Sequence, residues 1–471
     1  MHREIVIEKY PWETRTGILE DGELVEVWCD DREEKVGNIY KCRVEDVVPG
    51  LSCAFVNIGL ARNAFLYVAD ISVLEGIKEQ NITNLVRPGQ ELLVQVRKEA
   101  FQEKGARVTT NLTLPGRFVV LLPFKDDISI SRKIEDSSLR QKLKAEISSL
   151  KPDGVGVIIR TAASSVPLKE VEGELQELFA LWNDIYHRYK EQQAPAMLYE
   201  DVGTVERALR DYLDGSATLI ILNDEQARTD VLNMMGGNNL PQVTVKVETG
   251  DVFGRRNLDK EIKRALRRRV WLKSGGFLIV DETEAMTVFD VNSGRYIGQD
   301  NLADTVLKIN LEAAKEIPRQ LRLRGVGGII LIDFIDMESE DHQRQVTEVL
   351  NNELDRDKAH TRVLGFTRLG FLEMTRKKSR YGVREYFARA CTHCNGIGLV
   401  WKEIAVLNEI KRKLSSLRYL RTDTIICELS SHLEQSLLKD NHWNDLLTSL
   451  RQEIRVVVNS DLEPMEYRLL Y

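Results

Sequence analysis

Two apolar runs, MTVFDVNSG at 286–294 and GGIILIDFIDM at 327–337, each place an aspartate at or near the point where strand-like sequence ends: Asp290 and Asp333. Both runs are rich in β-branched and aromatic residues, the composition of buried strands, so each carboxylate emerges where a strand reaches the edge of a sheet. Side chains alternate along a strand, which puts Asp290 and Asn292 on one face and Val291 on the other. The amide is then placed to orient the carboxylate or a bound water. Hard oxygen donors of this kind suit Mg²⁺, which keeps several waters and takes one or two protein carboxylates beside phosphate oxygens. A turn former or helix cap is the competing account of either aspartate taken singly.

A chain of 471 residues exceeds one core and is expected to hold about two to four domains. Hydrophobic residues make up 43% of it, ample for globular packing, and no run reaches the roughly 18 apolar residues of a membrane span. The N-terminal MHREIV enters strand-like sequence without an apolar signal region, so a cytoplasmic protein is expected. Of the cysteines, Cys29, Cys42, Cys53 and Cys427 stand singly among apolar neighbours and read as core residues, not as a disulfide framework. The net charge of −7 argues against a generic nucleic-acid coat. Yet positions 255–273 hold nine Lys/Arg against Asp259 and Glu261, and a second basic cluster contains Arg376, Lys377, Lys378, Arg380, Arg384 and Arg389. Such patches on an acidic body can bind phosphate backbone locally; a solvated helix face is the alternative.

Positions 35–112 contain five short strand-like segments punctuated by Pro49-Gly50 and Pro88-Gly89, which suits a small β-barrel of the OB type. Ala54, Val56 and Ile58 share one strand face and Phe55 and Asn57 the other; Ala64, Leu66 and Val68 likewise oppose Asn63, Phe65 and Tyr67. Aromatics among amides, with Lys104 nearby, make a stacking platform for unpaired bases unless Phe55 and Phe65 simply fill the barrel. Beyond it the strand GVGVII runs into Arg160-Thr161, a pair able to grip a terminal phosphate. Helical spacing marks Asp201 to Asp214, Arg255 to Trp271, Asp300 to Leu323, interrupted by Pro318, and Ser339 to Asp357. Strands alternating with helices around both aspartates indicate a layered α/β core.

The motif CTHCNGIG at 391–398 resembles a zinc knuckle, with Cys391 and Cys394 as ligands and glycines that let the backbone approach sulfur. Two thiolates are half of a tetrahedral site, and a second CxxC is absent from the sequence. A closed four-cysteine site therefore calls for another copy of the chain: a homodimer sharing one Zn²⁺. A thiol-redox pair is the competitor, although the glycines disfavour the helix start such pairs use, and His393 is a possible surrogate ligand.

Taken in order, CAFVNIG, NAFL, PGRFVV, IIRTA, DVNSG, QLRLRG, IDFIDM and the cysteine pair resemble the RNase E/G family of bacterial endoribonucleases, over nearly the whole chain. The resemblance implies an α/β multidomain protein with RNase H-like and DNase I-like layers, an inserted OB-type barrel, a 5′-sensor subdomain, a zinc knuckle and a small C-terminal α/β domain. The expected segments are 1–34 and 206–265 (RNase H-like), 35–112 (barrel), 113–205 (5′-phosphate sensor), 266–387 (DNase I-like, catalytic), 388–402 (zinc link) and 403–471 (small dimerisation domain). It implies Asp290 and Asp333 as ligands of one Mg²⁺ per protomer with Asn292 in support, and Phe55, Phe65 and Lys104 as RNA-binding residues. Gly116, Val120, Arg160, Thr161 and His360 would form a pocket for a 5′-monophosphate, and zinc-linked dimers could pair again. Two departures stand out: Thr392 replaces a proline of the family's knuckle, and His360 falls where the family has an arginine, with Lys358 and Arg362 nearby. Sensing of the 5′ end is then expected to be weaker, pH-dependent or shifted to a neighbour. With no long tail before Tyr471, the sequence looks like the RNase G branch.

The histidines are scattered without evident pairing to the aspartates, which disfavours a 2′-hydroxyl mechanism run by a histidine pair. Mg²⁺-assisted attack of water in line at phosphorus is the expectation, leaving 3′-hydroxyl and 5′-phosphate ends. The expected substrate is single-stranded, AU-rich RNA, 5′-monophosphorylated by preference, in rRNA and tRNA maturation and mRNA decay. A non-catalytic RNA-binding or ribosome-assembly factor is the alternative; it explains the barrel and the basic patches but needs neither aspartate.

Overall fold

The computed structural model describes residues 2–30, 35–71, 81–99, 105–213, 216–235, 242–294, 302–378, 381–391, 394, 396, 398, 400–417, 422–440 and 442–471. The chain divides into two compact units, Met1–Phe387 and Ala388–Tyr471.

The first unit opens with an antiparallel meander, β1 (Arg3–Tyr10), β2 (Glu13–Glu20) and β3 (Glu23–Cys29). Asp21 and Gly22, at φ 50° and 83°, give the β2–β3 hairpin the left-handed two-residue turn that matches strand twist. The chain then leaves this sheet. Strands β4 (Ile39–Val48), β5 (Cys53–Asn57), β6 (Ala64–Tyr67), β7 (Glu91–Lys98) and β8 (Arg107–Thr109) pair in the order β4-β5-β6-β8-β7, and β7 pairs back onto β4. The result is a closed five-stranded barrel, consistent with an OB-like fold, around Val44, Ala54, Val56, Ala64, Leu66, Val94, Val96 and Val108.

Four short strands follow, β9 (Leu114–Pro115), β10 (Val119–Leu122), β11 (Ile128–Ile130) and β12 (Gly156–Ile159), in the order β11-β12-β10-β9. The helix Leu168–Glu191 buries Val171, Leu175, Leu178 and Ile185, an i, i+4, i+7 stripe, in the same core as Val119, Leu121, Val157 and Ile159. Strand β13 (Ala196–Tyr199) joins β4, after which β14 (Thr218–Leu222) and β15 (Val243–Val247) return to the first sheet parallel to β1, completing the order β15-β14-β1-β2-β3.

A second α/β layer holds β16 (Arg269–Trp271), β17 (Phe277–Glu282), β18 (Met286–Asn292), β19 (Gly328–Asp333), β20 (Thr361–Phe366) and β21 (Leu372–Arg376), ordered β16-β17-β18-β19-β21-β20. Helices Leu302–Leu323 and Glu340–Leu354 pack against one face, where Ile309, Ala313, Ile317, Val346 and Leu350 meet Leu278, Phe289, Ile330 and Ile332. Two sequence expectations are corrected. Helical structure in 255–271 ends at Ala265, the last of the buried Leu258, Ile262 and Ala265 stripe, and Arg269–Trp271 pairs as a strand instead. Pro318 does not interrupt its helix, because fully buried Ile317 and Leu321 on either side hold the turn in the core.

The second unit has a three-stranded sheet, β22 (Thr424–Leu429) between parallel β23 (Glu453–Val458) and antiparallel β24 (Tyr467–Leu470). Its core joins Leu407, Ile410 and Leu414 of one helix to Ile425, Cys427 and Leu429. Among the described residues no helix is long and apolar enough to cross a membrane.

Candidate active site

Strands β18 and β19 run parallel, and Asp290 and Asp333 are direct register partners. Their carboxylates therefore stand side by side toward the C-terminal ends of adjacent parallel strands, the position where open α/β sheets build their sites. Asn292 lies one pleat further along and donates from Nδ2 to Asp290 Oδ2 at 2.9 Å, fixing that carboxylate. Burial, then the charges of Asp290 and Asp336, raise the Asp333 carboxyl above its ordinary value. A cation between the two aspartates would relieve that crowding, and the all-oxygen donor set fits Mg²⁺. The loop after Asp333 is held from beneath: fully buried Asn310 donates to the Ile335 carbonyl at 2.8 Å and accepts its amide at 3.1 Å. Arg268 grips Asp281 with both arms beside the site, and the two carboxylates Asp281 and Asp290 raise its pKa.

The QLRLRG motif has a structural role. Arg322 is buried and donates to Glu20 at 2.8 and 3.0 Å and to Glu26 at 3.1 Å, tying the helix Leu302–Leu323 to the first sheet. Arg324 donates to Gln320 and to the Arg267 carbonyl.

On the barrel, the expected faces are observed. Ala54, Val56, Ile58, Ala64 and Leu66 are core, whereas Phe55 and Phe65 are half-buried register partners with ring centroids 5.2 Å apart. Tyr67 extends the row at 6.2 Å from Phe65, and Arg107 lies 4.8 Å over its ring. Buried Asp70 anchors this edge, accepting from Arg97 and Arg107 at 2.6 Å each. Lys104 lies outside the described residues.

Arg160, Thr161 and His360 line one cavity of about 830 Å³, together with Arg117, Arg132, Lys133, Arg210 and Lys358. Arg160 donates to the Gly116 carbonyl at 2.6 Å and to Asp211 at 2.9 Å, and Thr161 shares a 2.9 Å hydrogen bond with Ser131. Gly116 thus backs the cavity beneath Arg160, and Val120 sits on β10 across from Ile158 of the lining. A side chain at Gly116 would come within 2.6 Å of the Glu174 carboxylate, which accepts the amides of Arg117, Phe118 and Val119. The Asp357–Lys358 turn is locked by buried Arg376, whose Nε meets Asp357 at 2.6 Å.

That ion pair also takes one cation out of the second basic patch. Arg376 is buried and serves the fold, whereas Lys378, paired with Glu385, and Arg384, paired with Glu282, stay at the surface; Arg380 lies outside the described residues. Several in the first patch are likewise paired, Arg256 with Glu248 and Arg264 with Glu261.

In the second unit Cys394 accepts the Gly398 amide at 3.2 Å, and the Gly398 and Gly396 amides with the Cys391 thiol lower its pKa. Gly396 and Gly398, at φ 83° and 74°, take the left-handed conformation that aims those amides at sulfur. The arrangement suits thiolate ligation. Among the described residues no cluster of three His, Cys, Asp or Glu is arranged to hold a metal, so both the aspartate pair and the cysteine pair are incomplete ligand sets on their own. His393 lies outside the described residues.

Sequence reasoning did not single out Asn310, Arg268, Asp70 or Glu174. Each acts through a partner distant in sequence, and only the buried-helix spacing around Asn310 offered a signal.

The family model of the ribonuclease E/G family matches residues 113–379. Ribonuclease G of Escherichia coli K12 is 40% identical over 429 residues, covering 88% of each chain. Ribonuclease G of Haemophilus influenzae is 36% identical over 435 residues, again 88% of each. Ribonuclease E of Nostoc sp. is 38% identical over 389 residues, 81% of this chain and 57% of its own. With the aspartate pair, the barrel and the match over most of its length, the chain belongs to the ribonuclease E/G family.

Proposed function

We propose that the protein is a Mg²⁺-dependent endoribonuclease that cuts single-stranded, AU-rich RNA by hydrolysis. The observation that carries this reading is the register pair Asp290–Asp333 with Asn292 hydrogen-bonded to one carboxylate. The chemistry Mg²⁺ supplies when bound is activation of water and offset of charge at phosphorus. Asp290 and Asp333 would hold it, and Asn292 keeps Asp290 in its liganding orientation. Water adds to phosphorus as the bond to the 3′ oxygen breaks, giving 3′-hydroxyl and 5′-phosphate ends.

Phe55 and Phe65, with Lys104, are assigned to stacking unpaired bases, and their half-buried, paired rings, turned away from the barrel core, support that assignment. Arg160 and Thr161, backed by Gly116 and Val120 and faced by His360, are assigned to a 5′-monophosphate; the cationic lining of their shared cavity supports it. Cys391 and Cys394 would share one Zn²⁺ with a second copy, giving a homodimer able to pair again. On this reading the sheet β15-β14-β1-β2-β3 is the RNase H-like layer and the sheet β16-β17-β18-β19-β21-β20 the DNase I-like layer, and the protein works in the cytoplasm on rRNA and tRNA maturation and mRNA decay.

The test is a cleavage assay on one RNA carrying a 5′-hydroxyl, monophosphate or triphosphate, with Mg²⁺ or with chelator. Cutting that needs Mg²⁺ and runs fastest on the monophosphate is expected. Binding without cutting in every condition would favour a non-catalytic RNA-binding factor.

A further inference from the structure

The sheet face that carries the aspartates continues past them. Strand register aligns Arg269, Ile279, Asp290 and Asp333 in one row and Trp271, Phe277 and Asn292 in the next. Partners in register present their side chains to the same face. The other face is the packed one, where Leu278, Val280, Phe289 and Val291 are core, and neither Trp271 nor Phe277 belongs to that core. Trp271 is instead 61% exposed. Its ring meets Phe277 edge-on at 5.3 Å, and the Arg269 guanidinium lies 4.4 Å from the Phe277 ring and 5.6 Å from Trp271.

An aromatic pair with a cation laid over it is how proteins hold an unpaired base, because every base offers a π-face and the cation answers the backbone charge. Neighbouring strands lie about 4.8 Å apart, so Phe277 stands about 5 Å and Trp271 about 10 Å from the Asn292 strand. With half a strand spacing and the two-residue step back to Asp290 added, a phosphate held between Asp290 and Asp333 lies about 10 Å from the Phe277 backbone and about 14 Å from that of Trp271, a gap that the aromatic side chains and one nucleotide bridge.

We infer that Arg269, Trp271 and Phe277 form a base-stacking subsite beside the cutting centre, which holds the unpaired base of the nucleotide next to the scissile phosphate and so helps select the cleavage point. The inference rests on reading Asp290 and Asp333 as that centre. It is separate from the barrel platform, whose rings belong to a different sheet.

An oligoribonucleotide with one cleavage site, bearing an abasic nucleotide walked through positions on either side of that site, tests the subsite. The parent protein should lose cleavage by about 5- to 150-fold when one neighbouring position is abasic, the scale of a lost base–aromatic stack. Trp271→Ala should be slower on the intact RNA and indifferent to the abasic substitution at that same position, with Trp271→Phe restoring part of the dependence. Since Trp271 is largely exposed, the variants are expected to fold, which circular dichroism checks. Identical abasic profiles in parent and Trp271→Ala would overturn the subsite, as would a change of oligomeric state in Trp271→Ala with cleavage profile unaltered, which would assign the rings to a second copy. A parent protein that cuts none of the RNAs would instead remove the reading on which the inference rests.

Discussion

Replacing Arg322 by Met should uncouple the sheet of β1–β3 energetically from the α/β layer that carries Asp290 and Asp333. The guanidinium is 3% exposed and is the shared partner of Glu20 and Glu26, with three N–H···O contacts between 2.8 and 3.1 Å. The Tyr212 hydroxyl, which also bonds Glu26, lies 3.4 Å away. Methionine fills much of the volume but leaves two carboxylates buried beside one hydroxyl. Breaking a buried pair from one side costs about 3–5 kcal/mol, most of it the uncompensated charge that remains. If that is the origin of the loss, adding Glu20→Gln to Arg322→Met should cost less than Glu20→Gln costs in the parent, with a coupling of about 1–3 kcal/mol. The two units need not unfold together. Protection is therefore best read locally, by hydrogen exchange on peptides from β2, β3 and the helix Leu302–Leu323. Equal protection in parent and Arg322→Met, or strictly additive losses in the double variant, would refute the reasoning.

Phe55→Ala and Phe65→Ala should each weaken binding of single-stranded RNA by about 1–3 kcal/mol in a titration, while both proteins stay folded, since neither ring fills the barrel; loss of all soluble protein would return these rings to the core. In the second unit Lys411, 2.6 Å from Asp440, holds that carboxyl below its ordinary range. A depressed folded-state pKa stabilises above the unfolded value and is lost as pH falls through the folded one. Asp440→Asn should thus lower hydrogen-exchange protection of the helix Glu403–Leu417 by roughly 0.5–1 kcal/mol near neutral pH, and the difference from the parent should vanish in acid below the folded pKa. Elemental analysis of purified protein should find about 0.5 zinc per chain if four thiolates close each site. Cys391→Ser with Cys394→Ser should release it and weaken the dimer, whereas one zinc per chain in a stable monomer would point to other ligands.

The parts of the site that were legible in the sequence are those fixed by periodicity within one element. Alternation alone places Asp290 beside Asn292, and Phe55 and Phe65 away from Ala54, Val56, Ala64 and Leu66. What joins separate elements was harder to see. The pairing of Asp290 with Asp333 follows from strand register, and so does the row of Trp271 and Phe277 with Asn292. Trp271 in particular was hidden by its own surroundings. The charged stretch ahead of it continues the look of an amphipathic helix past Ala265, and nothing local says that Arg269–Trp271 will pair with Phe277–Ile279. The paired state of the basic clusters was also invisible, because Glu248, Asp281 and Asp357 come from other segments. Glu174 reads as one more acid on an amphipathic helix until the amides of residues 117–119 are folded onto it.

The central claim is that the two register-paired aspartates perform the cutting. Asp290→Asn and Asp333→Asn each preserve shape while removing a ligand charge, so the decisive measurement is single-turnover cleavage of a bound oligoribonucleotide at saturating Mg²⁺, with affinity measured on the same RNA. Loss of cleavage in both variants with binding retained is the expected result. Full cleavage by either variant would contradict the account.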